Sequence, residues 1–343
     1  VEKSMSDSAV RQVVPIEMHW PTLDPFLFCA FHMDQYPVGN AQMAPPAESL
    51  RGRSMGSDFD PSNSWRMYHG QTVPGFPVHP HRGFETITVV RQGVVDHFDS
   101  MGATGRYGAG DTQWMTAGSG VQHSEMFPLV NTDSDNSLVL FQVWINLPKA
   151  RKLADPHFVM FWNEQTPRRQ FTDADGRKVD VEIIAGTLDG TEAQTPPPAS
   201  WASEPENEVA VWVIDMQPGS TWTLPAASSG LNRVLYFYEG ETLSVDGTEL
   251  QKMSAAVLQS DLPAALTAGK QGAKVLLLQG RPIAEPVAQY GPFVMNSDAE
   301  IQQAFRDYQN TQFGGWEWGR NDPVHPQTES RLARLADGTE ERP

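Results

Sequence analysis

Short apolar runs broken by Gly, Pro, Asn and Asp recur along most of the chain, the pattern of an all-β protein built from barrels or sandwiches. A candidate strand at Arg11-Gln-Val-Val-Pro-Ile-Glu17 is followed by a short apolar one from Pro25 to Phe31. Thr86-Ile-Thr-Val-Val90 is β-branched, and Val94-Val-Asp-His-Phe-Asp99 alternates before a Ser-Met-Gly turn, with His97 read as a solvated strand residue and not a ligand. Leu138-Val-Leu-Phe-Gln-Val-Trp-Ile145 is strongly apolar. Between these, residues 32–73 are rich in Gly, Pro, Ser, Asn and Met and read as one long loop. Loops of this length commonly serve a site, and this one precedes the most chemically loaded stretch of the sequence.

The second half repeats the pattern. Val179-Asp-Val-Glu-Ile-Ile184, Val209-Ala-Val-Trp-Val-Ile214, Thr221-Trp-Thr-Leu224, Arg233-Val-Leu-Tyr-Phe-Tyr238 and Lys274-Val-Leu-Leu-Leu278 are strand candidates, with a Pro-rich acidic loop from Thr187 to Glu208. The polar connector from Pro148 to Pro156 marks a boundary, so the expected division is a first barrel over 1–155, a second over 156–296, and a helix with a polar tail over 297–343. Ser297-Asp-Ala-Glu300 has capping-box spacing. Ile301, Phe305 and Tyr308 then fall on one helical face. The tail from Gly314 onward reads as polar, with a short helix around Leu332 and Leu335 or no fixed structure.

Composition narrows the field. At 343 residues with a net charge of −17, the chain has room for two domains and repels phosphate backbones, which disfavours direct nucleic-acid binding. There is no apolar run of the ~20 residues a membrane-spanning helix needs. The opening Val-Glu-Lys-Ser-Met-Ser-Asp-Ser lacks the apolar core of a secretory signal. Cys29 is the one cysteine, so no intrachain disulfide forms, and a reducing cytoplasm is the expected setting.

Candidate chemistry concentrates between Gly75 and Glu125. His79-Pro-His81 and His123-Ser-Glu125 are two pairs at i, i+2. On an extended strand, residues two apart share a face about 7 Å apart at ~3.3 Å per residue. Pro80 keeps the first pair extended. Brought together, the pairs make a mixed nitrogen and oxygen site for a divalent transition metal. Glu85 also shares the face of His79 and His81 if the strand runs that far, and periodicity alone does not choose between Glu85 and Glu125. The nine histidines include none between His157 and His325, so the second barrel has no imidazole-rich site. Met115, Trp114, Met126, Phe127 and Phe76 flank the candidate ligands.

These motifs resemble the pirin family of the cupin superfamily. His79-Pro-His81-Arg-Gly-Phe-Glu-Thr is similar to its first signature and Gly110-Asp-Thr-Gln-Trp-Met-Thr-Ala-Gly-Ser-Gly-Val-Gln-His-Ser-Glu-Met126 to its second. Tyr290-Gly-Pro-Phe-Val-Met-Asn296 and Phe305-Arg-Asp-Tyr-Gln-Asn310 resemble the end of its second domain. The resemblance implies two jelly-roll-like cupin barrels, with one Fe(II) site in the first held by His79, His81, His123 and Glu125. Cu, Ni, Mn or Zn suit the same ligand types. Glu85 then takes a supporting role. The resemblance further implies quercetin 2,3-dioxygenase activity on a flavonol-like aromatic enol and O2, with Glu125 as general base. The alternative it carries is an iron redox-state-dependent regulator that binds a partner protein without turnover.

Overall fold

Strand alternation sets the architecture in the computed structural model, which describes residues 8–343. All but one residue of the polar opening read above lie outside the described residues. The chain forms two compact units, each assembled from two separate stretches: residues 30–165 with 285–343, and residues 8–29 with 166–284. The expected contiguous spans 1–155, 156–296 and 297–343 do not follow this grouping. The reason is strand pairing over long sequence distances, which leaves no local signal.

In the first of these units, one sheet sets His157–Phe161, Thr112–Thr116, Phe84–Gln92, Asn136–Asn146 and part of Phe26–Tyr36 side by side. The other runs Glu340–Glu341, Leu332–Arg334, Thr104–Gly108, Val94–Asp99, Val121–Met126 and Gly75–His81. The strand Asn136–Asn146 shows how the sequence separates faces. Phe141, Val143 and Ile145 are fully buried on one side, each worth roughly 1.5–3 kcal/mol of burial, whereas Gln142 and Trp144 alternate with them and are half-buried. Register pairs Gln142 with Thr88 and Trp144 with Thr86, so these four side chains share the face turned toward the opposite sheet.

Two expectations change here. The strand beginning at Phe26 runs on to Tyr36, because the polar residues read as loop find buried partners. Asp34 accepts from Arg66 Nε at 2.9 Å and Tyr68 Oη at 2.7 Å, and His32 Nδ1 lies 2.7 Å from that hydroxyl. The tail adds a strand, Leu332–Arg334, against Thr104–Gly108. Arg106 fixes it: its guanidinium grips Asp96 through two 2.7 Å contacts and donates to the carbonyls of His325, Pro326 and Glu329 at 2.8–3.1 Å.

The helix Asp298–Thr311 starts where the capping box places it, with Ser297 Oγ accepting from the Glu300 amide. Ile301 is buried, and Phe305 and Tyr308 pack on Phe293 with ring centroids 4.8 and 6.2 Å away.

The second unit pairs a seven-stranded sheet, including Asn232–Gly240, Ala273–Gly280 and Ala210–Met216, with a four-stranded one, Thr221–Leu224, Ala264–Ala268, Thr242–Val245 and Thr248–Gln251. Leu235, Phe237, Trp212, Leu277 and Leu266 belong to one apolar core. The strand Val10–Pro15 completes the sheet by pairing with Ser254–Leu258. Among the described residues, no helix is long and apolar enough to cross a membrane.

Candidate metal centre

The strand Gly75–His81 lies antiparallel to Val121–Met126, with His79 directly opposite His123. Their ring centroids are 4.5 Å apart, and His81 lies 4.8 Å from His79 and 4.9 Å from His123. One nitrogen from each ring falls within 4.8 Å of the others, within reach of a single ion. A bulge between Phe76 and His79 shifts the register so that Phe76 faces Glu125. Glu125 Oε2 is 3.8 Å from His123 Nε2.

Hydrogen bonds orient the parts. His79 Nδ1 donates to the Pro77 carbonyl at 2.8 Å, which leaves Nε2 for ligation. His81 Nδ1 approaches the Pro292 carbonyl at 3.4 Å. Glu125 accepts from Gln142 Nε2 at 2.7 Å and Thr88 Oγ1 at 3.3 Å, and Gln142 in turn accepts from Trp144 Nε1 at 3.3 Å. His123 differs: it is fully buried and neither ring nitrogen has a partner. Buried imidazole nitrogens without partners are costly and fit a metal ligand.

Burial also sets the protonation states. It lowers His79 to about 4 and pushes His81 and His123 well below the usual histidine range, with the neighbouring imidazoles adding to the effect. Three neutral rings are the ligating form. Burial raises Glu125, opposed by its bond from Gln142.

Glu85 goes elsewhere. The strand carrying His79 and His81 ends at His81, and a new one starts at Phe84 after a turn. Gly83 makes that turn at φ +88°, where a Cβ would sit 1.9 Å from the Val294 carbonyl. Parity is therefore reset. Phe84 and Thr88 face the histidines, whereas Glu85 points to the other side and accepts from Thr116 Oγ1 at 2.5 Å and Trp114 Nε1 at 3.1 Å. Trp114, one of the flanking apolar candidates, is on that far side too.

Three further histidines sit nearby. His97, read from sequence as a solvated strand residue, is fully buried. Its ring is 5.4 Å from His123, and Nε2 is 3.1 Å from Asp99 Oδ2. His69 is exposed, 5.7 Å from Phe76, while His32 is buried 5.8 Å from the same ring. Phe76 stacks on Tyr68 at 5.1 Å and approaches His79 at 6.3 Å, and Trp144 stands 5.3 Å from His81. Aromatic rings thus border the cluster on two sides. Sequence reasoning passed over Gln142, Thr88 and Trp144. The signal available was a glutamine inside an otherwise apolar strand.

Two β-barrels in one chain, one holding a histidine cluster and the other no histidine in its core strands, define a bicupin. The Pirin family signature matches residues 9–145, and that of the Pirin C-terminal cupin domain matches residues 211–314. Pirin-1 of Arabidopsis thaliana is 37% identical over 255 residues, covering 70% of this chain and 78% of that protein. A Pseudomonas aeruginosa protein named "Putative quercetin 2,3-dioxygenase" is 39% identical over 241 residues, 69% of this chain and 80% of that one. The crystal structure of a quercetin 2,3-dioxygenase from Acinetobacter baumannii superposes with a TM-score of 0.71 at 25% identity, over 90% of this chain and 99% of that one. The chain belongs to the pirin family.

Proposed function

We propose that the protein is a metal-dependent dioxygenase of the quercetin 2,3-dioxygenase type, holding one Fe(II) through His79, His81, His123 and Glu125. The observation that carries this reading is the buried His123 ring, unpaired at both nitrogens between two other neutral imidazoles and 3.8 Å from a carboxylate. A divalent ion there supplies Lewis acidity and, as Fe(II), a redox centre toward O2. The names of the relatives in Pseudomonas and Acinetobacter support the substrate class.

The protein's own residues handle binding and the proton. Phe76 and Trp144 offer ring faces to a flat aromatic substrate. Glu125 accepts the proton of a flavonol 3-hydroxyl. Gln142 and Thr88 hold the carboxylate in place while it does so. Consumption of one O2 then converts the flavonol to its depside and carbon monoxide.

Elemental analysis of freshly purified protein identifies the metal among Fe, Cu, Ni, Mn and Zn. An aerobic assay follows loss of the quercetin absorbance band and release of carbon monoxide. Glu125→Gln should lower kcat by about 100-fold or more, while Glu85→Gln should leave metal content unchanged. A Glu125→Gln protein that keeps its metal and turns over at the wild-type rate sinks the base assignment. Metal-loaded protein that turns over no flavonol, yet binds a partner protein according to iron oxidation state, replaces the enzyme by the regulator.

A further inference from the structure

The second unit, which the proposed reaction does not use, contains a cavity of about 600 Å³. That lies within the usual range for small-molecule sites, ~300–1,000 Å³. It opens from the end of the barrel interior. Arg233 stands opposite Gln279, and Gln279 opposite Ala210, on three neighbouring strands. Two residues further along their strands, Leu235, Leu277 and Trp212 form the apolar core.

Arg233 is the unusual group. It is 1% exposed yet lines the cavity. Nη1 donates to the Pro225 carbonyl at 2.8 Å and reaches that of Ser260 at 3.5 Å, and Nε has no partner. Among the described residues no carboxylate forms an ion pair with it. Burial lowers it to about 10, with Glu208 the one charge opposing that shift. A buried guanidinium without a counter-ion is expensive, and its planar fork suits a carboxylate. Gln279, also lining the cavity, donates through Nε2 to the Glu208 carbonyl at 3.1 Å but leaves Oε1 buried without a partner.

The outer lining has the opposite sign. Asp189 and Glu192 are exposed, and Glu204 and Glu208 half-buried. Asp189 is paired with Arg169, and Glu208 lies 3.7 Å from Arg281. A simple anion entering this cavity meets carboxylates before it meets Arg233, whereas a molecule with an inner carboxylate and an outer ammonium matches both ends.

We propose that this cavity binds a small zwitterionic amino-carboxylate, its carboxylate on Arg233 and its ammonium among the carboxylates at the mouth. The metal reading plays no part in this.

Titration calorimetry on the full chain tests it with ω-amino acids from glycine to 6-aminohexanoate, the matching alkanoates, hexylamine and inorganic phosphate. One ω-amino acid length should bind about tenfold or more tightly than its alkanoate or hexylamine. Arg233→Met should abolish that binding, and Arg233→Lys should weaken it. Because a buried-site variant can disturb folding, the pair at the mouth, Glu192→Gln with Glu204→Gln, gives an independent check. It should erase the preference for amino acid over alkanoate while alkanoate still binds. No ω-amino acid binding at millimolar concentration, binding unchanged in Arg233→Met, or phosphate or alkanoate binding as tightly as any amino acid would each overturn the assignment.

Discussion

Replacing His123 by leucine should stabilise the metal-free protein while removing its response to metal. His123 is fully buried, with neither nitrogen paired. A neutral imidazole has one N–H donor and one lone-pair acceptor, and each buried polar group left unsatisfied costs ~1–3 kcal/mol. Leucine removes both groups but fills the space between His79, His81 and His97 less well, returning about 1 kcal/mol through looser packing. Even with both groups at the low end of that range, the net gain is about 1 kcal/mol or more. For a unit of this size that raises Tm by at least roughly 2–4 °C. The assay is calorimetry of chelator-stripped wild type and His123→Leu, each repeated anaerobically with added Fe(II). Wild type should gain about 2.7 kcal/mol when free metal is at about a hundredfold excess over Kd, and the variant should gain little. A stripped variant that is less stable than stripped wild type, yet shifts fully with Fe(II), would show that the nitrogens are neither orphaned nor ligands.

Acid should destabilise the metal-free protein. His79, His81 and His123 have folded pKa values below their unfolded ones, so below ~6.5 the unfolded chain binds more protons. Their contribution is intact above that pH and is lost progressively as pH falls, for His79 until about 4. From pH 7 to 5 the loss is about 1.9 kcal/mol for each ring that stays neutral in the fold, an upper bound of ~6 kcal/mol for three. Glu125, raised by burial, works in the opposite sense and recovers part of it. Urea midpoints across that range, with no fall in stability as the refuting result, measure the sum. Arg106→Met strips two contacts from Asp96 and three carbonyl bonds from the tail. It leaves a buried carboxylate unpaired at a cost of ~3–5 kcal/mol, so limited proteolysis should cut within 325–343 in the variant well before wild type. Equal cleavage rates would contradict that role.

The candidate ligands were legible because two i, i+2 pairs are a strong local pattern, and the antiparallel pairing of their strands puts His79 opposite His123. The choice between Glu85 and Glu125 was not legible from periodicity. Counting by twos from His81 keeps Glu85 on the histidine face, but the turn at Gly83 ends one strand and begins another, and the count restarts. His97 was misread for a different reason. The strand Val94–Asp99 is buried throughout most of its length because Thr104–Gly108 and Val121–Met126 flank it and the tail closes over it. The tail's strand pairs Leu332 with Arg106, a contact between distant segments that no local window contains. The same applies to Val10–Pro15 and its partner Ser254–Leu258.

This long-range closure bears directly on the candidate site. The strand Gly75–His81 is the last in its sheet, and an edge strand with open amides is a weak place to fix ligands. The C-terminal stretch supplies what the sheet does not. Asn321 accepts from the Val78 amide at 2.7 Å, next to His79. Asp307 on the helix takes Arg82 Nη1 at 2.7 Å, next to His81, and Tyr308 one residue on donates to Gln122 Oε1 at 2.8 Å, next to His123. The side chains adjoining His81 and His123 are thus tied to consecutive residues of one helix. Rigid support of this kind would hold the candidate ligands within the tolerance a metal site requires. The apolar stripe of Ile301, Phe305 and Tyr308, which core packing alone would explain, also sets the helix at the height where those two polar ties form. The strands that carry the candidate ligands are thus tied on both sides to residues about two hundred positions away in the chain.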